Sequence, residues 1–348
     1  MRKISQLQQV IGMVGVLVAL VFMCWPAAAA EMPGKGVTVQ PGRATWNTGF
    51  FQAALVNKGL EDLGYTVKKP KDLSNPMFYL SVTQGDVDFW ANAWFPLHNE
   101  QLPKDSEDKA SVAGVMAPNA GLQGYLATKE AVEEYNITSI EDFKREEVKK
   151  AFDGNGDGKA DLVACPPGWG CEKVITHHMD VYDLLDHINP IKANYSASFG
   201  DALGRAQSGE PILFYTWTPN WTINLQKPGE DVLWINVPEI IPNEGQQGLE
   251  EYMVVEGVQG AVSDPLKMGF AANDICIFAN NEFLEANPAA VEFFKQIKLS
   301  VADIGAQNHR MHEGEDSAED IQRHAAEWVK DHQEQWNTWL DKARAAAD

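Results

Sequence analysis

The stretch Met77–Pro96, "MFYLSVTQGDVDFWANAWFP", changes its period midway and so decides the class of fold. Its first half spaces apolar residues as a helix does, Gly85 marks a turn, and the second half is an aromatic-rich apolar run that reads as a buried strand. Helix, turn and buried strand in succession is the unit of an α/β protein, and the alternation continues on both sides. "GVTVQPG" reads as a first strand. Residues 46–64, "WNTGFFQAALVNKGLEDLG", read as a helix with Phe50, Ala54 and Leu55 on one face, Leu63 further along it, and Gly64 as its stop. "YTVKKP" is the next expected strand, 129–151 a charged helical stretch, 179–187 a further helix, and "PILFYTWTP" a strand. "NPAAVEFFKQI" offers Asn287 as an N-cap and Pro288 at the first helical position. A last helix is expected from Ser317, with Asp320 three residues on as in a capping box. Its Ile321, Ala325, Trp328 and Leu340 form the docking face.

The first thirty residues set the compartment. Arg2 and Lys3 precede the apolar run "VIGMVGVLVALVFMCW" and then "PAAAA", the pattern of an exported signal peptide with an A-x-A cleavage site, expected to span 1–30. The apolar run is shorter than the ~20 residues that cross a bilayer, which disfavours an uncleaved anchor. Bulky Phe22 and Met23 before Cys24 disfavour a lipid-modified cysteine. The remaining 318 residues carry 26 basic and 49 acidic side chains, a formal charge of −23. Nucleic acid and anionic membrane surfaces are therefore poor partners. The length suits two compact lobes, and without internal repeats or a low-complexity linker the lobes should be joined by short crossings.

Three tryptophans stand apart from the other eight of the eleven. Trp94 in "NAWFPLH", Trp169 in "PPGWGC" and Trp217 in "YTWTPNW" each lie at the end of an extended run or in a Gly/Pro turn, where loops on a rigid scaffold carry function. Trp328, Trp336 and Trp339 sit at helical spacing and read as core. Cys165 and Cys171 enclose the Trp169 loop, whereas Cys276, in "DICIFAN", reads as a buried core residue. A Cys171 nucleophile with a histidine base is the enzymatic alternative, and it requires a free thiolate.

Other constellations carry less. Asp153–Asp161, "DGNGDGKAD", has the spacing of a calcium loop, but Ala164 stands at position twelve where a bidentate Glu belongs. A weak calcium site and an Asp/Gly-rich turn both fit. His177 and His178 are adjacent on a helix and point to different faces, and His309 with His312 lacks further convergent ligands.

The motifs "NAWFPLH", "DGNGDGKADLVACPPGWGCE", "FYTWTPNW" and "LSVADIGAQN" with "MHEGE" together resemble the periplasmic glycine betaine/proline betaine-binding proteins of ABC importers, in the same order and over nearly the whole exported chain. The resemblance implies an α/β, two-lobed periplasmic binding protein, type II-like, with a central β-sheet flanked by helices in each lobe and the ligand in the interlobe cleft. Residues 31–126 and 272–348 would form lobe 1 and 127–271 lobe 2. It implies a cage of Trp94, Trp169 and Trp217 around a quaternary ammonium group. It puts the carboxylate on His98 and on the backbone amides of Gly170 and Cys171, and a disulfide between Cys165 and Cys171. It further implies a periplasmic monomer without metal, cofactor or catalytic residue, which delivers glycine betaine or proline betaine to an inner-membrane ABC permease and its ATPase. Choline or carnitine is the alternative cargo. Pro166 in the loop and an insertion around 238–266 depart from the family pattern.

The chemistry agrees with that implication. A trimethylammonium group spreads its charge over methyls that cannot donate conventional hydrogen bonds, so aromatic faces meet it with both quadrupole attraction and apolar contact. A primary ammonium or sodium ion would lose its hydration and find no oxygen acceptors among indoles.

Overall fold

The computed structural model describes residues 32–347, so the expected signal peptide lies outside the described residues. The chain builds two lobes, each around a five-stranded mixed sheet. In the first sheet the order is Lys71–Asp72, Pro41–Arg43, Phe89–Phe95, Asn273–Asn280 and Ala110–Gly121. In the second it is Val232–Ile235, Gln123–Thr128, Leu213–Trp217, Ala160–Val163 and Ile188–Ile191.

The two sheets share one plan. Pro41–Arg43 and Phe89–Phe95 are parallel in the first, as Ala160–Val163 and Leu213–Trp217 are in the second. In each, the strand that has just arrived from the other lobe is antiparallel to the last of these: Asn273–Asn280 beside Phe89–Phe95, and Gln123–Thr128 beside Leu213–Trp217. A strand that enters from the cleft side must run away from it, so the parallel strands point their C-terminal ends at the cleft. In open α/β sheets that is where ligands bind. Trp94 is the penultimate residue of Phe89–Phe95 and Trp217 the last of Leu213–Trp217.

Local chemistry explains the elements. The helix Asn75–Gln84 has Pro76 in its first turn and stops at Gly85, whose φ of 79° is left-handed and suits glycine. The following strand is apolar except for the buried Asn92, because both faces of the sheet are covered: Phe89, Trp90, Ala91, Ala93 and Trp94 are all buried. The helix Phe50–Asp62 departs from the single-faced expectation. Helix Ala318–Asp331 packs on it as well as the sheet, so Phe51 through Asn57 are buried in succession, while Phe50 stays half-buried under the Arg43 guanidinium. At Gly59 a Cβ would fall 1.9 Å from the ring of Phe293, so only glycine permits that approach.

Several expected boundaries move. The stretch 129–151 divides into a helix Lys129–Glu134, a 3-10 turn Ile140–Lys144 and a helix Glu146–Phe152, because Asn136 takes a positive φ and Ser139 caps a new start. The helix expected at 179–187 begins instead at Gly170 and ends at Val181, since Asp183 turns left-handed. The C-terminal helix starts at Ala318 with the Ser317–Asp320 capping box, but breaks at His332 and resumes as Gln333–Ala345. Pro288 opens its helix as expected, whereas the Asn287 amide donates to the Phe283 carbonyl instead of capping. "GVTVQPG" splits: Thr38–Val39 pairs with Thr66–Val67 in a separate two-stranded sheet, and Pro41–Arg43 joins the main one.

Trp328, Trp336 and Trp339 pack against one another, Trp328 stacked on Trp339 and edge-on to Trp336, with Trp336 buried and its indole N–H donating to Asp62 at 2.9 Å. Cys276 is buried and unpaired, its thiol pushed up to about 12 by burial. Among the described residues no helix is long and apolar enough to cross a membrane.

Candidate functional site

Trp94, His98, Trp169, Gly170, Cys171 and Trp217 line a single pocket between the two sheets. Trp94 and His98 come from the end of Phe89–Phe95 and the 3-10 turn Leu97–Gln101 that follows it. Trp169, Gly170 and Cys171 come from the loop after Ala160–Val163 and the start of helix Gly170–Val181, and Trp217 ends its strand. Trp169 and Trp217 meet edge to face, with ring centroids 5.5 Å apart.

The loop is held in shape before any partner arrives. Cys165 and Cys171 are disulfide-bonded, and Gly168 takes a φ of 90°, which a side chain would oppose. Cys171 therefore holds no free thiolate, and a Cys171 nucleophile has no place in this geometry. Trp169 occupies the N-cap position of Gly170–Val181 without a side-chain cap bond. The amides of Gly170 and Cys171, at the start of this helix, thus lie at the positive end of the helix dipole, whereas the Glu172 amide donates to the Trp169 carbonyl. Gly170 sits where a Cβ would reach the side chains of Leu97 and His98 at 3.0 Å, so glycine lets the two lobes touch here.

His98 is fully buried, and desolvation lowers its pKa to about 3, which keeps the ring neutral. The backbone N–H of Trp94 donates to Nδ1 at 3.1 Å. A backbone amide can only donate, so the ring proton is on Nε2. That nitrogen lies 3.1 Å from the Asn75 amide nitrogen. Two proton-bearing nitrogens cannot bond to each other, so the Asn75 amide, whose oxygen has no other partner, turns that oxygen to Nε2–H unless an acceptor beside the pair takes both protons.

Five further lining residues, Trp46, Asn75, Leu97, Gln123 and Tyr215, are not marked by the sequence. Trp46 lines the pocket beside Trp169, at 5.4 Å between ring centroids. Gln123 is buried, its oxygen accepts from the Tyr215 hydroxyl at 2.6 Å, and its amide nitrogen has no partner. Tyr215 and Asn75 complete the polar part of the lining. Among the described residues neither Asp, Glu, Lys nor Arg contributes to it. Indole faces and neutral donors without a formal charge suit a net-neutral zwitterion whose cation is soft and whose anion accepts hydrogen bonds.

The other candidates resolve differently. In Asp153–Asp161, the Asp153 carboxylate accepts from the backbone amides of Gly156, Asp157 and Gly158, and Asp161 pairs with Arg205 at 3.1 Å. A guanidinium stands where a cation would need that carboxylate, and among the described residues no group of three metal-ligating side chains converges. His177 bonds the Ile241 carbonyl and His178 faces the Tyr125 hydroxyl, while His309 Nε2 lies 3.6 Å from Glu313 and His312 stacks on Trp221. The segment 238–266 forms two 3-10 turns and a small two-stranded sheet. It reaches the first lobe, where Asn243 approaches Glu100 at 3.4 Å.

Comparison with known proteins agrees with this geometry. Residues 37–331 match the family described as the substrate binding domain of ABC-type glycine betaine transport systems. The chain is 41% identical over 321 residues to the glycine betaine-binding periplasmic protein OusX of Dickeya dadantii, covering 92% of this chain and 94% of that one. It is 40% identical, at the same coverage, to the glycine betaine/proline betaine-binding periplasmic protein of Salmonella typhimurium. Among solved structures, lactococcal OpuAC in its closed-liganded form with glycine betaine aligns with a TM-score of 0.65 at 18% identity, covering 87% of this chain and 99% of that one. A choline binding protein with choline aligns at 0.66 and 16%, covering 89% and 96%. At such identities these two speak for the fold alone.

Proposed function

The chain belongs to the family of substrate binding domains of ABC-type glycine betaine transport systems, and on that premise we propose that it captures glycine betaine or proline betaine outside the cytoplasmic membrane and hands it to an ABC permease. The observation that carries this reading is the lining itself: tryptophan faces from both lobes with neutral donors beside them and no formal charge.

In this reading Trp94, Trp169 and Trp217 enclose the trimethylammonium group, whose methyls favour ring faces over water. The carboxylate lies toward His98 Nε2–H, the Asn75 amide and the amides of Gly170 and Cys171, where the helix dipole favours negative charge. Each desolvated ring contributes up to about 2 kcal/mol and each charge-assisted hydrogen bond about 1.5–3 kcal/mol. After the cost of immobilising the ligand, about −8 kcal/mol remains, a micromolar dissociation constant. Because the contacts come from both lobes, ligand stabilises the closed form, which the permease would recognise. We place the lobe crossings beside the strands that change sheet, just before Gln123 and just before Asn273, with 1–30 removed on export to the periplasm. The protein acts as a monomer and performs no chemistry on its cargo.

Titration calorimetry over glycine betaine, proline betaine, choline, carnitine and proline tests the proposal. Micromolar binding of the betaines with proline at least a hundredfold weaker is expected; tighter binding of proline or choline than of either betaine would overturn it.

A further inference from the structure

We infer that Trp46 is a fourth wall of the cage, the ring through which the first lobe seals the site from solvent, and that Asn92 is the residue that positions it. The inference rests on the betaine reading above and adds to it a further residue of the binding site.

Trp46 lies in the irregular segment between the strand Pro41–Arg43 and the short turn Asn47–Gly49, where no element requires a buried aromatic, yet it is only 8% exposed. Its indole N–H donates to Asn92 Oδ1 at 2.9 Å, and the indole N–H of Trp94 donates to the same oxygen at 2.9 Å. One buried amide oxygen spends both lone pairs on two tryptophans of one pocket, so the orientation of Trp46 is tied to that of Trp94. The fit leaves no slack: a Cβ on Gly49 would come within 3.0 Å of the Asn92 amide carbon.

The position of Trp46 says what it does. Outside the pocket lies a second, more polar depression, with Thr45, Asn47, Ser74 and Asn194 on its rim. Trp46, Trp169 and Trp217 line both spaces, whereas Trp94 faces only the inner one. These three indoles are therefore the partition between ligand site and solvent. Trp169 meets Trp46 on one side and Trp217 on the other, edge to face in both cases, at 5.4 and 5.5 Å. Trp46 is the first lobe's share of that partition. A ring there adds a face to the methylated cation and blocks its exit.

The test compares wild type with Trp46→Ala, Trp46→Phe, Asn92→Leu and Asn92→Asp, using glycine betaine and tetramethylammonium as probes, calorimetry for affinity and stopped-flow tryptophan fluorescence for dissociation. Trp46→Ala should weaken both probes by the same factor, about tenfold, mainly through faster dissociation. Trp46→Phe keeps a ring but forfeits the bond to Asn92 Oδ1, so its affinity should fall between those of wild type and Trp46→Ala. Asn92→Leu removes the shared acceptor and should reproduce the loss, and Asn92→Asp, which retains an acceptor, should restore part of it. Unchanged affinity and dissociation in folded Trp46→Ala would overturn the inference, as would a loss confined to glycine betaine, since that would put Trp46 at the carboxylate end. Should Trp46→Ala not fold, a Trp46→Phe protein with a tenfold loss equal to that of Asn92→Leu would overturn the ring as the active element. A wild-type protein that bound neither betaine would defeat the functional reading itself, an outcome distinct from all of these.

Discussion

The indole N–H of Trp169 donates to Thr45 Oγ1 at 3.1 Å, a bond that joins a loop of the second lobe to a loop of the first. Thr45 is exposed and Trp169 half-buried, so the bond is modest in energy, but it exists only when the lobes are together. Thr45→Val keeps the shape and removes the acceptor. It should weaken betaine binding by about 0.5–1 kcal/mol while leaving the unfolding midpoint of the ligand-free protein unchanged. Calorimetry and thermal unfolding check this; an unaltered dissociation constant would show that the bond has no part in closure.

Core and cage tryptophans should separate cleanly. Trp336 is 1% exposed, packs on Phe293 and donates to Asp62, far in sequence from any residue of the pocket. Trp336→Ala should cost about 3–5 kcal/mol of stability and spare affinity in whatever fraction stays folded. Trp94→Ala and Trp217→Ala should instead lower affinity by about 1–3 kcal/mol each with smaller losses of stability. Equal behaviour of all three in denaturant titration and calorimetry would contradict the division.

Much of this arrangement was legible in the sequence, and the limits have physical causes. Trp94, Trp169 and Trp217 stand in Pro- and Gly-bounded turns at strand ends, and such turns are local, so local sequence marks them. Trp46 is equally exposed to reading, but its neighbours Asn92 and Trp169 are brought to it by the fold across 46 and more positions, and no short-range pattern records that. Asn75 and Gln123 read as a helix start and a strand residue because that is what their backbones are; their role comes from what faces them. The helix from Gly170 was read too late because glycine and cysteine give a weak periodic signal where a disulfide, rather than propensity, sets the start.

Two buried histidines make stability depend on pH. His98 and His178 are both held neutral by burial, each with its pKa lowered to about 3. In the unfolded chain a histidine titrates near 6.5, so below that pH the unfolded state takes up protons that the folded state refuses. Their contribution is fully present above about pH 6.5 and is lost as pH falls toward 3, by up to about 1.4 kcal/mol per pH unit for each ring. Urea unfolding at pH 7 and pH 5 should show the decline, and His178→Gln, remote from the pocket, should reduce its slope. Betaine affinity should stay flat across the same interval, because His98 keeps its Nε2 proton throughout. A wild-type midpoint that did not move, or that rose on acidification, would contradict the burial of these rings as neutral species.

The polarity of the pocket separates a betaine site from a general cage for methylated cations. Choline and esterified glycine betaine keep every indole contact but lack the charged acceptor that His98 Nε2–H and the Gly170 and Cys171 amides would meet. Each should bind at least tenfold more weakly than glycine betaine, since one charge-assisted hydrogen bond is worth about 1.5–3 kcal/mol. His98→Ala should narrow that gap, because it deletes a donor that only the carboxylate uses, and Trp94→Ala should lower all three ligands together and leave the gap as it was. The pattern of the two variants carries more than either affinity alone, because damage to the lobe would weaken every ligand alike. Wild-type protein that held choline as tightly as glycine betaine, or His98→Ala with an undiminished preference, would leave the tryptophans as a cage and remove the carboxylate from its proposed place beside the helix start.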